Sequence, residues 1–151
     1  MRNKNEESHV VDLVLSLSTD QYASGDVLAD TQELVDAVAQ DGGGGIIHTI
    51  VVQDDDDQAA ALDIVILDSN TSIGTENSAV TMADNDNILG TVEVAAGDYV
   101  DMANSQHATK TNVGIVIKAK TDRSIFVAAV SRGTGTYTAS GITLRFGILT
   151  G

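Results

Sequence analysis

The sequence predicts an all-β single domain, an antiparallel β-sandwich or jelly roll, on three observations. Both ends of the chain alternate apolar and polar residues with a period of two, over 9–17 and again over 142–149. Clusters of Gly, Ser, Thr, Asn and Asp punctuate short apolar runs all along the chain, as turns do between strands. At the centre, 46–68 (IIHTIVVQDDDDQAAALDIVILD) reads as two aliphatic strands either side of four consecutive aspartates. Asp is poor inside strands and good in turns, so the stretch predicts a hairpin with arms 46–53 and 59–67 and a solvated acidic tip.

The elements follow in order. Residues 1–8 are polar and mixed in charge and read as an N-terminal arm, leaving 9–151 as the sandwich domain. In 9–17, Val11, Leu13, Leu15 and Leu17 face one way and Asp12 and Ser16 the other. Residues 18–26 are loop. The stretch 27–40 is open between two readings. Asp30 as a cap, Glu33 three residues on and Gly42 as a stop favour a helix, while the all-β surroundings favour short strands, which we adopt. Four glycines at 42–45 form a corner. A polar loop follows Asp68, then a short strand at 79–82, and a helical turn over 83–89 capped by Asp84 and stopped by Gly90. A strand at 91–95, a turn at 96–98, a short strand at 99–102 and a loop at 103–111 come next. Residues 112–119 turn Val113, Ile115 and Ile117 inward and Val116 and Lys118 outward. The run 124–131 is apolar throughout, as in a strand covered on both faces. Residues 132–141 make a turn or bent strand, and 142–149 is the last strand.

One domain suits 151 residues, of which roughly 70% of the unfolded surface can be buried without staples. There is no Cys, so neither disulfides nor thiolate metal sites arise. No apolar run reaches the ~18–20 residues of a membrane span, and the start MRNKNEES lacks the apolar stretch of a signal peptide. Neither a membrane nor nucleic acid is expected as a partner: the net charge of −14 repels phosphate. The charge is segregated. Residues 5–109 hold 21 acids and no Lys or Arg, whereas 110–151 hold Lys110, Lys118, Lys120, Arg123, Arg132 and Arg145 against Asp122 alone. Either basic strands lie beside acidic ones within one fold, or the two ends meet different neighbours in an assembly.

No constellation carries chemistry, and no catalytic residue, cofactor or metal is expected. Contiguous aspartates at 54–57 point alternately and converge poorly on Ca²⁺. Residues 84–87 (DNDN) begin like a calcium loop but lack its Gly and distal Glu. His9, His48 and His107 have no zinc spacing; His48 reads as packed on a strand face and His107 as solvated in a loop. The glycines at 42–45 lack the Lys-Ser/Thr of a phosphate loop, and no Gly-x-Ser-x-Gly elbow occurs. Without Trp, and with only five aromatic residues, a sugar-stacking cleft is disfavoured.

The two arms of the central stretch carry apolar residues on both faces, more than a one-faced strand needs. Ile47, Val51, Val65 and Leu67 would form an outward apolar area, and such areas mark contacts, here with other copies in a closed ring. Lys118, Lys120 and Arg145 would lie on outward strand faces and meet an acidic surface, of this fold or of a neighbour.

Four stretches in this order and spacing, 22–27 (YASGDV), 45–69 (GIIHTIVVQDDDDQAAALDIVILDS), 83–94 (ADNDNILGTVEV) and 126–149 (FVAAVSRGTGTYTASGITLRFGIL), resemble the small head decoration, or cement, proteins of tailed bacteriophages. The resemblance implies a sandwich or jelly roll on the exterior of a capsid, commonly a trimer, bracing neighbouring capsomers through contacts with the major capsid protein and with itself. It transfers no functional residue, since such proteins act through surfaces. Two other readings stand beside it: a head-fibre base, tail or baseplate component, and a Ca²⁺-dependent carbohydrate-binding sandwich.

Overall fold

The computed structural model describes residues 8–83 and 86–150. Within these, ten strands run in order: β1 (Ser8–Val14), β2 (Val27–Leu34), β3 (Gly44–Asp54), β4 (Leu62–Leu67), β5 (Ile88–Val94), β6 (Tyr99–Asp101), β7 (Gln106–Lys110), β8 (Ile115–Lys118), β9 (Ile125–Ser131) and β10 (Ile142–Thr150). They form two antiparallel sheets. The first is ordered β1-β10-β3-β7-β6, with β8 also on β3, and the second β2-β9-β4-β5. Paired from the ends inward, β1 meets β10, β2 meets β9, β3 meets β8 and β4 meets β5. The chain is thus one long antiparallel ribbon folded at β4–β5 and rolled so that β10 also lies on β3 and β9 on β4. This is a jelly roll, the closed double sheet that limits free edges.

The inward residues of both sheets share one core of Leu, Ile, Val and Ala with Tyr22, Tyr137 and Phe146. β10 shows the generating pattern most plainly: Ile142, Leu144, Phe146 and Ile148 are buried and Arg145 and Leu149 exposed. β1 places Val11 and Leu13 against the core, and the burial continues to Leu15 and Leu17 beyond the strand.

The central stretch is not a hairpin. β3 and β4 lie in different sheets, and 55–61 is an arch between them. The reason is Asp54. Far from facing water, it is fully buried, and its carboxylate accepts the backbone N–H groups of Asp56 (2.9 Å), Gln58 (2.8 Å) and Ala59 (2.8 Å). A buried carboxylate with three N–H donors is satisfied and bends the chain about itself. Asp57 and Ala59 take positive φ of 57° and 48° to complete the bend. Asp56 accepts from the Thr138 N–H and hydroxyl, fastening the arch to the 132–141 loop. Asp55 and Asp57 do face solvent.

Other elements differ from expectation for local reasons. Residues 27–34 are strand, as adopted, and Asp30 caps no helix; its carboxylate holds the Ser72 hydroxyl and the Ile73 N–H. At 79–82 there is no strand, only an isolated bridge from Ala79 to Asp26. The proposed cap Asp84 lies outside the described residues, but Ile88 already begins β5 and Gly90 sits within it instead of ending a helix. The expected loop 103–111 contains β7, paired with β3 despite its weak strand composition. Of the proposed arm, residues 1–7 lie outside the described residues and Ser8 opens β1.

Candidate interaction surfaces

The apolar residues on both faces of the central stretch have two separate causes. In β3 the cause is a bulge. Thr49 lies opposite Gly147 and Ile47 opposite Ile148, so His48 is an extra residue that flips the alternation. Ile47 therefore joins Ile50 and Val52 in the core, fully buried, instead of facing outward. The bulge sits where β3 changes neighbour from β7 to β8, and the Val113 and Gly114 N–H groups donate to the His48 and Ile47 carbonyls, both at 2.9 Å. His48 is exposed there, not packed, and Val51 alone of the four expected interface residues stays partly accessible.

In β4 the cause is a cover within the chain. Val65 and Leu67 do point away from the main core, but they are 7% and 0% exposed. With Val27, Ile73, Ala128 and Val130 they form a second apolar cluster on the outer face of the β2-β9-β4-β5 sheet, flanked by Met82, Ile88 and Phe126. The β4–β5 connection lies across that face as a strap. It is tied down by Asp30, by the Thr31 hydroxyl on the Thr71 carbonyl (2.6 Å), and by backbone bonds from Val27 N–H to Ser78 and from Asn77 N–H to Val27. The expected outward face at β4 is thus already covered by residues 68–83. Glu76, beside Asp30 on the strap, has its carboxyl raised above the usual range, first by burial and then by the Asp30 charge.

The segregated charge also has an intramolecular explanation. Every ion pair among the described residues joins the basic C-terminal block to the acidic block: Lys110–Asp98, Lys120–Asp68, Arg123–Asp36, Arg132–Asp63 and Arg145–Asp12. Rolling the ribbon puts the end of the chain beside its beginning, so Arg145 on β10 stands in register with Asp12 on β1 and grips it with two bonds of 2.8 and 2.9 Å. That hydrogen bond is the main reason the Asp12 carboxyl lies below the usual range. Lys118, exposed as expected, donates to the Gly42 carbonyl (2.6 Å). Arg145 points outward on β10 as expected, Lys120 is exposed in the loop after β8 and not on a strand face, and the partners of both belong to this fold.

No group of three or more His, Asp or Glu among the described residues is placed to hold a metal ion. Asp54 and Asp56 are committed to the arch. Of the calcium-like motif, Asp84 and Asn85 lie outside the described residues, and Asn87 donates to Thr71. His107 lies half-buried on β7, bonded to Ser105, not solvated in a loop. His9 meets the Asp36 carbonyl at 3.0 Å, so its Nε2 carries the proton. Tyr99 and Tyr137, the ionisable neighbours of Asp54, have hydroxyls raised well above the ordinary phenol range, mainly by burial.

An outward apolar area does exist, on the other sheet. The outer face of the β1-β10-β3-β7-β6 sheet, with β8, carries Val10, Val14, Ile46, Val100, Val116 and Leu149, all between 41% and 68% exposed. Register makes part of it continuous: Leu149 lies opposite Ile46, and Ile46 opposite Val116. Sequence reasoning marked Val116 as outward but missed the row, because pairing across β10, β3 and β8 is a property of the roll.

No protein-family model matches the sequence, and no curated protein matches it. Among solved structures, the chain is similar to the infectious bursal disease virus VP2 subviral particle, at 18% identity over 97% of this chain and 34% of that one, with a TM-score of 0.42. It is similar to a protein of deformed wing virus at 7% identity over 95% of this chain and 75% of that one, TM-score 0.37. It is also similar to a putative sugar binding protein from Bacteroides thetaiotaomicron, at 10% identity over 82% and 68%, TM-score 0.26. The chain spans about a third of the length of the VP2 chain. At these TM-scores the likenesses add nothing to the fold already described.

Proposed function

We propose that this chain is a structural protein of a virion: a capsid decoration, or cement, protein on the outside of a tailed-bacteriophage head. There it contacts the major capsid protein and copies of itself, as a homotrimer, and braces neighbouring capsomers. The observation that carries the reading is the outer face of the β1–β10–β3 sheet, where six large aliphatic side chains stand exposed among few charges on a strongly acidic chain. Large exposed apolar faces serve contacts with other protein. The four stretches of the resemblance favour the same reading: 22–27 leads into β2, 45–69 takes in most of β3, the arch and β4, 83–94 contains β5, and 126–149 runs through most of β9 and β10. The strongly acidic remainder suits a solvent-facing coat. The chain acts without catalysis in this reading, and activity screens against peptides, esters, phosphates and glycosides come back blank. The experiment is binding to heads assembled without this protein. The purified chain pellets with such heads and not with isolated tails; pelleting with tails instead moves it to a fibre or tail role. Glycan binding abolished by chelating Ca²⁺ points to the carbohydrate-binding alternative.

A further inference from the structure

We infer that the outer face of the β1-β10-β3-β7-β6 sheet, with β8, is where one copy of this chain binds a second copy. The inference rests on the self-association in the proposed function and gives it a place. Six of the nine exposed large hydrophobic residues among the described residues lie on this one face, and the row Leu149–Ile46–Val116 crosses three adjacent strands. Charge chooses the occupant. Two molecules of net charge −14 repel each other over most of their surfaces. Among the described residues, the outward positions of this sheet hold one carboxylate, Asp12, and Arg145 neutralises it; Lys118 is the other charge. A basic partner would gain more from the acidic remainder of the surface than from this face. Further acidic copies can approach closely here, where carboxylates are few; in a ring of three, each copy offers different parts of this face to its two neighbours. The size is that of a small interface: four strand spacings of ~4.8 Å by about nine residues at ~3.4 Å give at most roughly 600 Å² in projection, which the corrugation of the surface enlarges. A standard interface takes about 800 Å² per partner.

The test is sedimentation equilibrium of the wild-type chain and of two variants, Ile46→Asp with Val116→Asp, and Val80→Asp. Val80 is 42% exposed but lies outside this sheet, in the strap. Circular dichroism and melting confirm that each is folded; both altered sites are at the surface, so folding survives. The wild-type chain is oligomeric, and its association tightens with added salt, which screens the repulsion between copies. The Ile46/Val116 variant associates at least about tenfold more weakly, and Val80→Asp matches wild type. A monomeric wild type overturns the inference, and so does a folded Ile46/Val116 variant that associates as wild type does. Head binding is read separately. An oligomer that depends on this face but binds no heads leaves the inference standing and removes the decoration reading; a monomer that binds heads does the reverse.

Discussion

Asp54 is the residue on which the roll turns. Its carboxylate, fully buried at the end of β3, takes three backbone N–H groups and directs the chain from one sheet to the other. Removing it leaves those partly buried donors without their acceptor and opens a cavity where the carboxylate sat, both of which are costly. Asp54→Ala is expected to lower unfolding stability by about 3 kcal/mol or more. Asp55→Ala, one residue on and exposed, should change it by less than about 0.5 kcal/mol. Urea unfolding of the two variants checks this, and equal losses would count against the arch. Glu76 gives a prediction in pH. Its folded carboxyl lies above its unfolded value, so the group's contribution to stability is complete below the unfolded value and is lost as pH rises through the raised one. Glu76→Gln removes that loss while keeping an acceptor. Tm at neutral pH should rise by on the order of 2 °C, and the gain should disappear toward pH 4. A gain that persists there would mean that charge is not its source.

At the scale of elements, the strap across β4 decides what substitutions on that strand do. Leu67→Asp would place a carboxylate among Val27, Ile73, Ala128 and Val130. The account expects loss of folding, or a destabilisation of about 4 kcal/mol, seen as a lost or lowered melting transition. A stable, fully β variant that merely changes its oligomeric state would show that the strap does not seal this face. The sequence made the strands at 9–17, 112–119, 124–131 and 142–149 legible, because there a strict period of two meets a face buried on one side or an apolar run buried on both. It made the hairpin at 46–67 look natural, because adjacent strands usually pair and periodicity does not say which sheet a strand joins. It hid β7, whose residues Gln106–Lys110 contain one small buried side chain, Ala108. The apolar excess in 46–67 was a true signal with an ambiguous meaning. A one-residue bulge at His48 and a covering strap produce the same excess as a subunit contact would, and only coordinates separate them.

At the scale of the whole molecule, the separation of charge along the chain is a consequence of the roll. A ribbon whose end returns to its beginning lets a basic tail face an acidic head, strand by strand, as Arg145 faces Asp12 and Arg132 faces Asp63. Such exposed pairs are screened by solvent and contribute little to stability. The outer face of one sheet is poor in carboxylates and carries most of the exposed large apolar side chains among the described residues. In the decoration reading the jelly roll acts through its surfaces, and that reading depends on where they dock. The most direct measurement is an image reconstruction of phage heads assembled without this protein, before and after the purified chain is added. New density is expected on the outside of the shell, of jelly-roll size, clustered in threes and spanning neighbouring capsomers. Heads that remain bare at saturating protein, or density confined to the tail, would contradict it.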